Sequence, residues 1–164
     1  MAFTYRKTVK ALNNSMELIA KSLQSRLEEN NSIASGNLGS SIAVSAISKK
    51  AGSLDVNISM LDYWSTVNDG TDPHVIFPLD DIKKWLTYPN VKDKLGMNNS
   101  KVSEANSAAY LISRKIWDKG TDGNNFASDV FDSKKVTVDL PNAIADAVFE
   151  DLNIVFDDLV TSIN

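Results

Sequence analysis

Between Leu54 and Met60 every second residue is apolar: Leu54, Val56, Ile58 and Met60 share one parity, and Asp55, Asn57 and Ser59 the other. A period of two puts one set of side chains on each face of a strand, so the chain must form a sheet with one covered face. The run before it behaves alike. Ile42, Val44 and Ala46 alternate with Ser41 and Ser45, so a strand is expected over Leu38 to Ile47. Lys49-Lys50-Ala51-Gly52-Ser53 supplies the turn of a hairpin.

Helical spacing surrounds this hairpin. From Tyr5 to Glu29, Val9, Leu12, Met16, Ile19, Leu23 and Leu27 step by three and four, which places them on one stripe of a long helix. Asn30-Asn31-Ser32 is expected to end it, with Asn in the left-handed region. A helix over Leu79 to Tyr88 carries Ile82, Trp85 and Leu86 and stops at Pro89. Residues 90–101 read as a polar loop. Another helix starts at Ser103, with Ala105, Ala109, Ile112 and Ile116 as its stripe, and ends at Lys119-Gly120. Residues 121–135 read as a loop with Phe126, Val130 and Phe131 embedded, and Val136 to Val138 as a short strand.

Pro141 opens a last helix with two apolar stripes. Ile144, Val148, Leu152, Val155 and Leu159 form one; Phe149, Phe156 and Ile163 form the other, at heptad spacing. Two stripes imply burial on two sides, against the body of the protein and a neighbouring subunit. The expected fold is α+β: a small, mainly antiparallel sheet packed by a long N-terminal helix and two later helices. No linker divides residues 1–164, which read as one domain.

The stretch from Asp62 to Phe77 holds the densest turn chemistry. Asp62 is placed to N-cap a short helix through Asn68. Asn68-Asp69-Gly70 and Asp72-Pro73 favour a turn, and His74 to Phe77 is expected to run extended as a third strand or arm.

Two motifs in order resemble the tail-completion (neck, head–tail joining) proteins of tailed bacteriophages. That family shows a long N-terminal helix, a junction of the form (D/S)TG-x-L-x-x-S-(I/L), and a strand hairpin. An aromatic-led Y-(A/W)-x-x-(V/L)-x-x-G-T segment follows, ending near a Pro or His. Ser35-Gly36-Asn37-Leu38-Gly39-Ser40-Ser41-Ile42 fits the first, with Ser35 where Asp-Thr is common. Tyr63-Trp64-Ser65-Thr66-Val67-Asn68-Asp69-Gly70-Thr71 fits the second, with Asn68 replacing a common Glu and Asp69 a common aromatic. Gly120-Thr121 with Phe126 agrees with a later G-T-x-x-(R/P)-x-F segment. The resemblance spans roughly residues 5–130 and rests on the order and spacing of motifs that are individually unspecific.

The resemblance implies a structural protein of the virion, made in the host cytoplasm. It would form a ring, of six copies by expectation, at the head–tail junction. Its partners would be the connector or adaptor protein on one side and the tail terminator or tube protein on the other. A tail terminator or another tail ring protein is the nearest alternative, and a small soluble enzyme a more distant one. A closed ring needs two different faces on each subunit. Three regions are expected to supply them: the turn with Tyr63, Trp64, Asp69, Thr71 and His74; the hairpin tip with Lys49 and Lys50; and the last helix with Phe149 and Phe156.

The residues themselves offer little catalytic chemistry. His74 is the sole histidine, and no G-x-S-x-G elbow accompanies it. Asp69, Asp72 and His74 match neither a calcium loop nor a zinc helix. Glu150, Asp151, Asp157 and Asp158 suggest a carboxylate cluster, but the solvated face of an amphipathic helix accounts for Asp146, Glu150, Asp157 and Asp158. No phosphate loop or dinucleotide fingerprint occurs, and no cofactor is expected. The absence of cysteine excludes disulfides and thiolate metal sites. A net charge of −4, with both signs spread along the chain, argues against a dedicated nucleic-acid binder, though one loop could still touch packaged DNA incidentally. No run approaches the ~18 apolar residues of a membrane span, and no membrane partner is expected.

Overall fold

A computed structural model describes residues 5–30, 35–50, 53–97 and 102–163. Its class is α+β: a long first helix, small antiparallel sheets and later helices. Helix α1 (Arg6–Glu29) buries Ile19, Leu23 and Leu27 in its C-terminal half, and Thr8 and Ser15 in its N-terminal half. Asn30 takes φ −76° with its N–H still bonded to the Arg26 carbonyl at 3.0 Å, and Asn31 and Ser32 of the expected terminator lie outside the described residues.

The junction that follows is helical where a strand was expected. Gly36, at φ 74°, opens the short helix α2 (Asn37–Ser41). The Ser40 and Ser41 hydroxyls bond back to the Asn37 and Leu38 carbonyls at 3.1 and 2.7 Å, which suits serine to a single helical turn. Alternation of small residues does not separate these two outcomes.

The hairpin itself forms. Strands β1 (Ala43–Val44) and β4 (Ile58–Ser59) pair antiparallel, as do β2 (Ser48–Lys50) and β3 (Ser53–Asp55). The two ladders differ in register by one residue: Val44 faces Ile58, whereas Ser48 faces Asp55. Ser45 donates its N–H to Asn57 O at 2.8 Å and accepts the Asn57 N–H on its own hydroxyl at 2.9 Å. Ala46 and Ile47 therefore share Val56 as their opposite residue, a bulge that breaks the sheet in two. Lys49, Lys50 and Ser53 of the expected turn belong to the strands, and residues 51–52 lie outside the described residues.

Helix α3 (Trp64–Asp69) starts one residue later than an Asp62 cap would place it; Trp64 N–H bonds Leu61 O at 3.0 Å, and Tyr63 holds the cap position without a side-chain bond. Strand β5 is Gly70–Thr71, and the third strand expected over His74 to Phe77 is absent, since His74 takes φ 70° and residues 75–78 have no regular structure. Helix α4 (Leu79–Trp85) ends three residues earlier than expected. Pro89 then begins α5 (Pro89–Leu95) inside the supposed loop, as its fixed φ and missing N–H allow at a first helical position; residues 98–101 of that loop lie outside the described residues. Helix α6 (Val102–Lys119) follows.

Residues 121–135 are not a loop either. They contain strand β6 (Thr121–Asp122) and helix α7 (Phe126–Phe131), whose Phe126, Ala127 and Val130 are buried. The expected strand at Val136 to Val138 is a wide π turn (Lys135–Asp139) running directly into α8 (Leu140–Ile163). Leu140 N–H reaches back five residues to Lys135 O. The wider turn gives the Pro141 ring room against the preceding carbonyls.

Buried residues gather in two clusters. The larger joins Ile19, Leu23 and Leu27 of α1 to Leu38, Ile42, Phe126 and Leu140, with Ile58, Met60 and Trp64 packed against it. The smaller holds Ile82, Leu86, Val91 and Ala109, with Phe77, Ile112 and Ile116 around them. Helix α8 lies along α1, and α4 lies along α6.

Candidate interaction surfaces

The turn after α3 is fastened to the segment after α6. Gly70 pairs with Asp122 and Thr71 with Thr121, and the two threonine hydroxyls meet at 2.9 Å. The clasp continues on both sides. Asn124 and Asn125 donate their N–H groups to Val67 O and Asn68 O at 3.1 and 3.0 Å, and His74 N–H reaches Trp117 O at 2.7 Å. The same tripeptide, Gly-Thr-Asp, stands at 70–72 and again at 120–122. Antiparallel pairing sets each copy's threonine opposite the other, so the clasp has a local twofold character. Gly70 (φ 81°) and Gly120 (φ 74°) are required there: a Cβ on either would overlap the carbonyl oxygen of the opposite threonine.

Asn68 locks this clasp from inside. It is 3% exposed, and each side-chain group is used. Its Oδ1 accepts the N–H groups of Ala127 at 2.8 Å and Ser128 at 3.2 Å, while Nδ2 donates to Ser128 Oγ and Asp69 Oδ1. Those two N–H groups belong to the first turn of α7, whose own Asn125 makes no side-chain cap. Asn68 therefore caps a helix about sixty residues away.

Asp151 does the same for α1. Tyr5 makes no side-chain cap, and the Asp151 carboxylate accepts Lys7 N–H at 3.0 Å, Thr8 N–H at 2.8 Å and Thr8 Oγ1–H at 2.8 Å. Burial pushes the carboxyl pKa up, but these bonds and the Lys7 charge outweigh it and hold the pKa below the ordinary value. Asp151 thus belongs to no solvated acidic face. Neither distant cap was visible as a motif, because a motif is read within one element and these caps join two.

The residues singled out in the sequence occupy four separate places. Tyr63 is exposed at the start of α3, its phenol pKa raised by burial and by the nearby Tyr88; Trp64 turns inward, half-buried on the larger core. Asp69 and Thr71 are tied into the clasp through Asn68 and Thr121. His74 is exposed, its ring edge-on to Trp117 at 5.1 Å between centroids. Lys49 and Lys50 stand at the exposed end of the hairpin, with Lys50 3.5 Å from Asp55. Phe149 and Phe156 are 64% and 61% exposed on α8.

Exposed apolar side chains among the described residues include Ile76 at 80% and Leu111 at 64%, and two further apolar features stand beside them. One is the α8 face, where Val160 (60% exposed) continues the line of Phe149 and Phe156. The other is a groove of about 670 Å³ between α4 and α6, floored by Phe77, Ile82, Trp85, Ile112 and Ile116. Among the described residues, no group of three or more His, Cys, Asp or Glu is placed to hold a metal, and no helix is long and apolar enough to cross a membrane. No protein-family model matches this chain, and no curated protein or solved structure is significantly similar to it.

Proposed function

We propose that this protein is a structural component of a tailed-bacteriophage virion, forming a ring at the head–tail junction that joins the connector to the tail tube. Its mechanism is assembly and not catalysis. The observation that carries this reading is the outer face of α8: two phenylalanines one heptad apart stand in water on a helix whose other side is already docked on α1. A helix apolar on two sides fits a chain whose final state includes a neighbour. The clasp adds support, since it joins the second motif of the resemblance, Tyr63 to Thr71, to the later segment that agrees with it, Gly120 to Phe126.

Gold-labelled antibody on negatively stained particles tests the reading. Label confined to the head–tail junction is the expected result. Purified particles lacking both the label and any peptide of this chain by mass spectrometry overturn it.

A further inference from the structure

We infer that residues 72–120 form a hinged lobe that opens as a cooperative unit on the clasp while the rest of the chain, the body, stays folded. This is a property of a single copy and does not rest on the virion location.

Apolar burial divides the chain in two. Every member of the smaller cluster, from Phe77 to Ile116, lies between Thr71 and Thr121. Every member of the larger lies outside that interval, between Met16 and Val67 or between Phe126 and Leu140. The helices divide the same way: α4 packs along α6, whereas α7 and α8 pack on α1. Shared apolar contacts are what make a segment open all at once, so two separate clusters give two units.

The hinge lies at the clasp. Thr71 and Thr121 stand opposite each other in the β5–β6 ladder, so both ends of the lobe leave the body at one point. The clasp itself stays with the body. Asn124 and Asn125 N–H bond Val67 O and Asn68 O, and the buried Asn68 side chain ties the turn to α7. On the lobe side, residues 75–78 have no regular structure, and His74 sits at φ 70°. Positive φ strains a residue with a side chain, and here the N–H bond to Trp117 O at 2.7 Å and the edge-on contact with the Trp117 ring hold it. Opening the lobe releases that strain. Beyond the clasp, Tyr88 of the lobe comes near Tyr63 of the body: burial, and then Tyr88, raise the Tyr63 phenol pKa. Tyr63 is nonetheless exposed, so this is a contact at the rim and not a shared core.

Core size decides which unit opens first. Among the described residues, the largest fully buried side chains, Phe126, Leu23 and Leu27, all belong to the larger cluster. The smaller rests on Ile82, Leu86, Val91 and Ala109. A unit this short, with so small a core, is marginal by itself.

Native-state hydrogen exchange on the full chain tests the lobe, in urea below the unfolding transition and where exchange follows the opening equilibrium. Amides of α4 and α6 are expected to exchange through an opening with a smaller urea slope than those of α1 and α7, because less surface is exposed. Two mild core variants separate the units. Ile19→Val, in the larger cluster, should speed exchange in α1 and α7 by roughly two- to tenfold and leave α4 and α6 unchanged. Ile82→Val should speed α4 and α6 by a similar factor. Equal urea slopes in all four helices would mean one cooperative unit and overturn the proposal. So would an Ile19→Val variant that speeds α4 and α6 as much as α1.

Discussion

Asn68 and Asp151 show how much of this protein depends on single polar groups spanning long sequence separations. Asn68→Ala strips two N–H groups in the first turn of α7 of their shared acceptor in a buried setting, with an expected loss of about 2–4 kcal/mol in chemical denaturation. Asn68→Asp keeps Oδ1 but turns the donor to Ser128 and Asp69 into a carboxylate oxygen facing the Asp69 carboxylate, so it too should destabilise. Asp151 adds a pH dependence. Its pKa is lower in the folded chain than unfolded, so its contribution is complete at neutral pH. The contribution is lost as the pH falls from the ordinary 3.8 through the depressed folded value. Asp151→Asn should therefore reduce stability at pH 7 and flatten the acid limb of the stability curve. An unchanged acid limb would assign the acid sensitivity to other carboxylates. Gly120→Ala combines positive φ with overlap against the Thr71 carbonyl, and should cost about 3 kcal/mol or more. Trp64→Ala removes a half-buried ring from the larger core, for an expected cost of about 2–4 kcal/mol. Intact folding with lost assembly would make Trp64 an interface anchor instead.

At the level of elements, long periodic segments were legible, and short ones only in part: α3 and α4 stand near their expected places, but other short helices do not. Helices α1, α6 and α8 lie close to where their apolar spacing puts them, because 18 to 24 residues give a stripe many repeats to declare itself. The hairpin was legible from Leu54 to Met60, but its bulge was not, since a register slip leaves the alternation of each strand intact. The short helices α2, α5 and α7 were read as strand or loop. Each is 5 to 7 residues long and is held by contacts from elsewhere, such as Asn68 on α7, and not by its own pattern. The clasp was half legible: its turn residues announced Gly70, but nothing local paired it with residues 120–122. Helix α8 carries the prediction that belongs to this scale. Phe149→Ser combined with Phe156→Ser alters exposed positions only, so the thermal midpoint should stay nearly unchanged while self-association, read by sedimentation velocity, is lost. A large fall in the midpoint would show that these rings belong to the monomer's own core.

Taken whole, the molecule is two apolar clusters joined by a clasp of backbone hydrogen bonds and backed by one helix that closes the chain on itself. Shortening the chain after Val155 removes Phe156, Leu159 and Val160, all exposed, and leaves Asp151 in place. Such a chain should fold and remain monomeric; shortening it before Asp151 should impair folding as well. Timing during synthesis gives the Asp151 cap a further meaning. The first turn of α1 is satisfied by a carboxylate made 143 residues later, and at ~5–20 residues per second that interval is roughly seven to thirty seconds. The same late helix carries the outward phenylalanines. Until α8 is made, a nascent chain therefore has neither that clamp nor the outward phenylalanines, and both arrive with one helix.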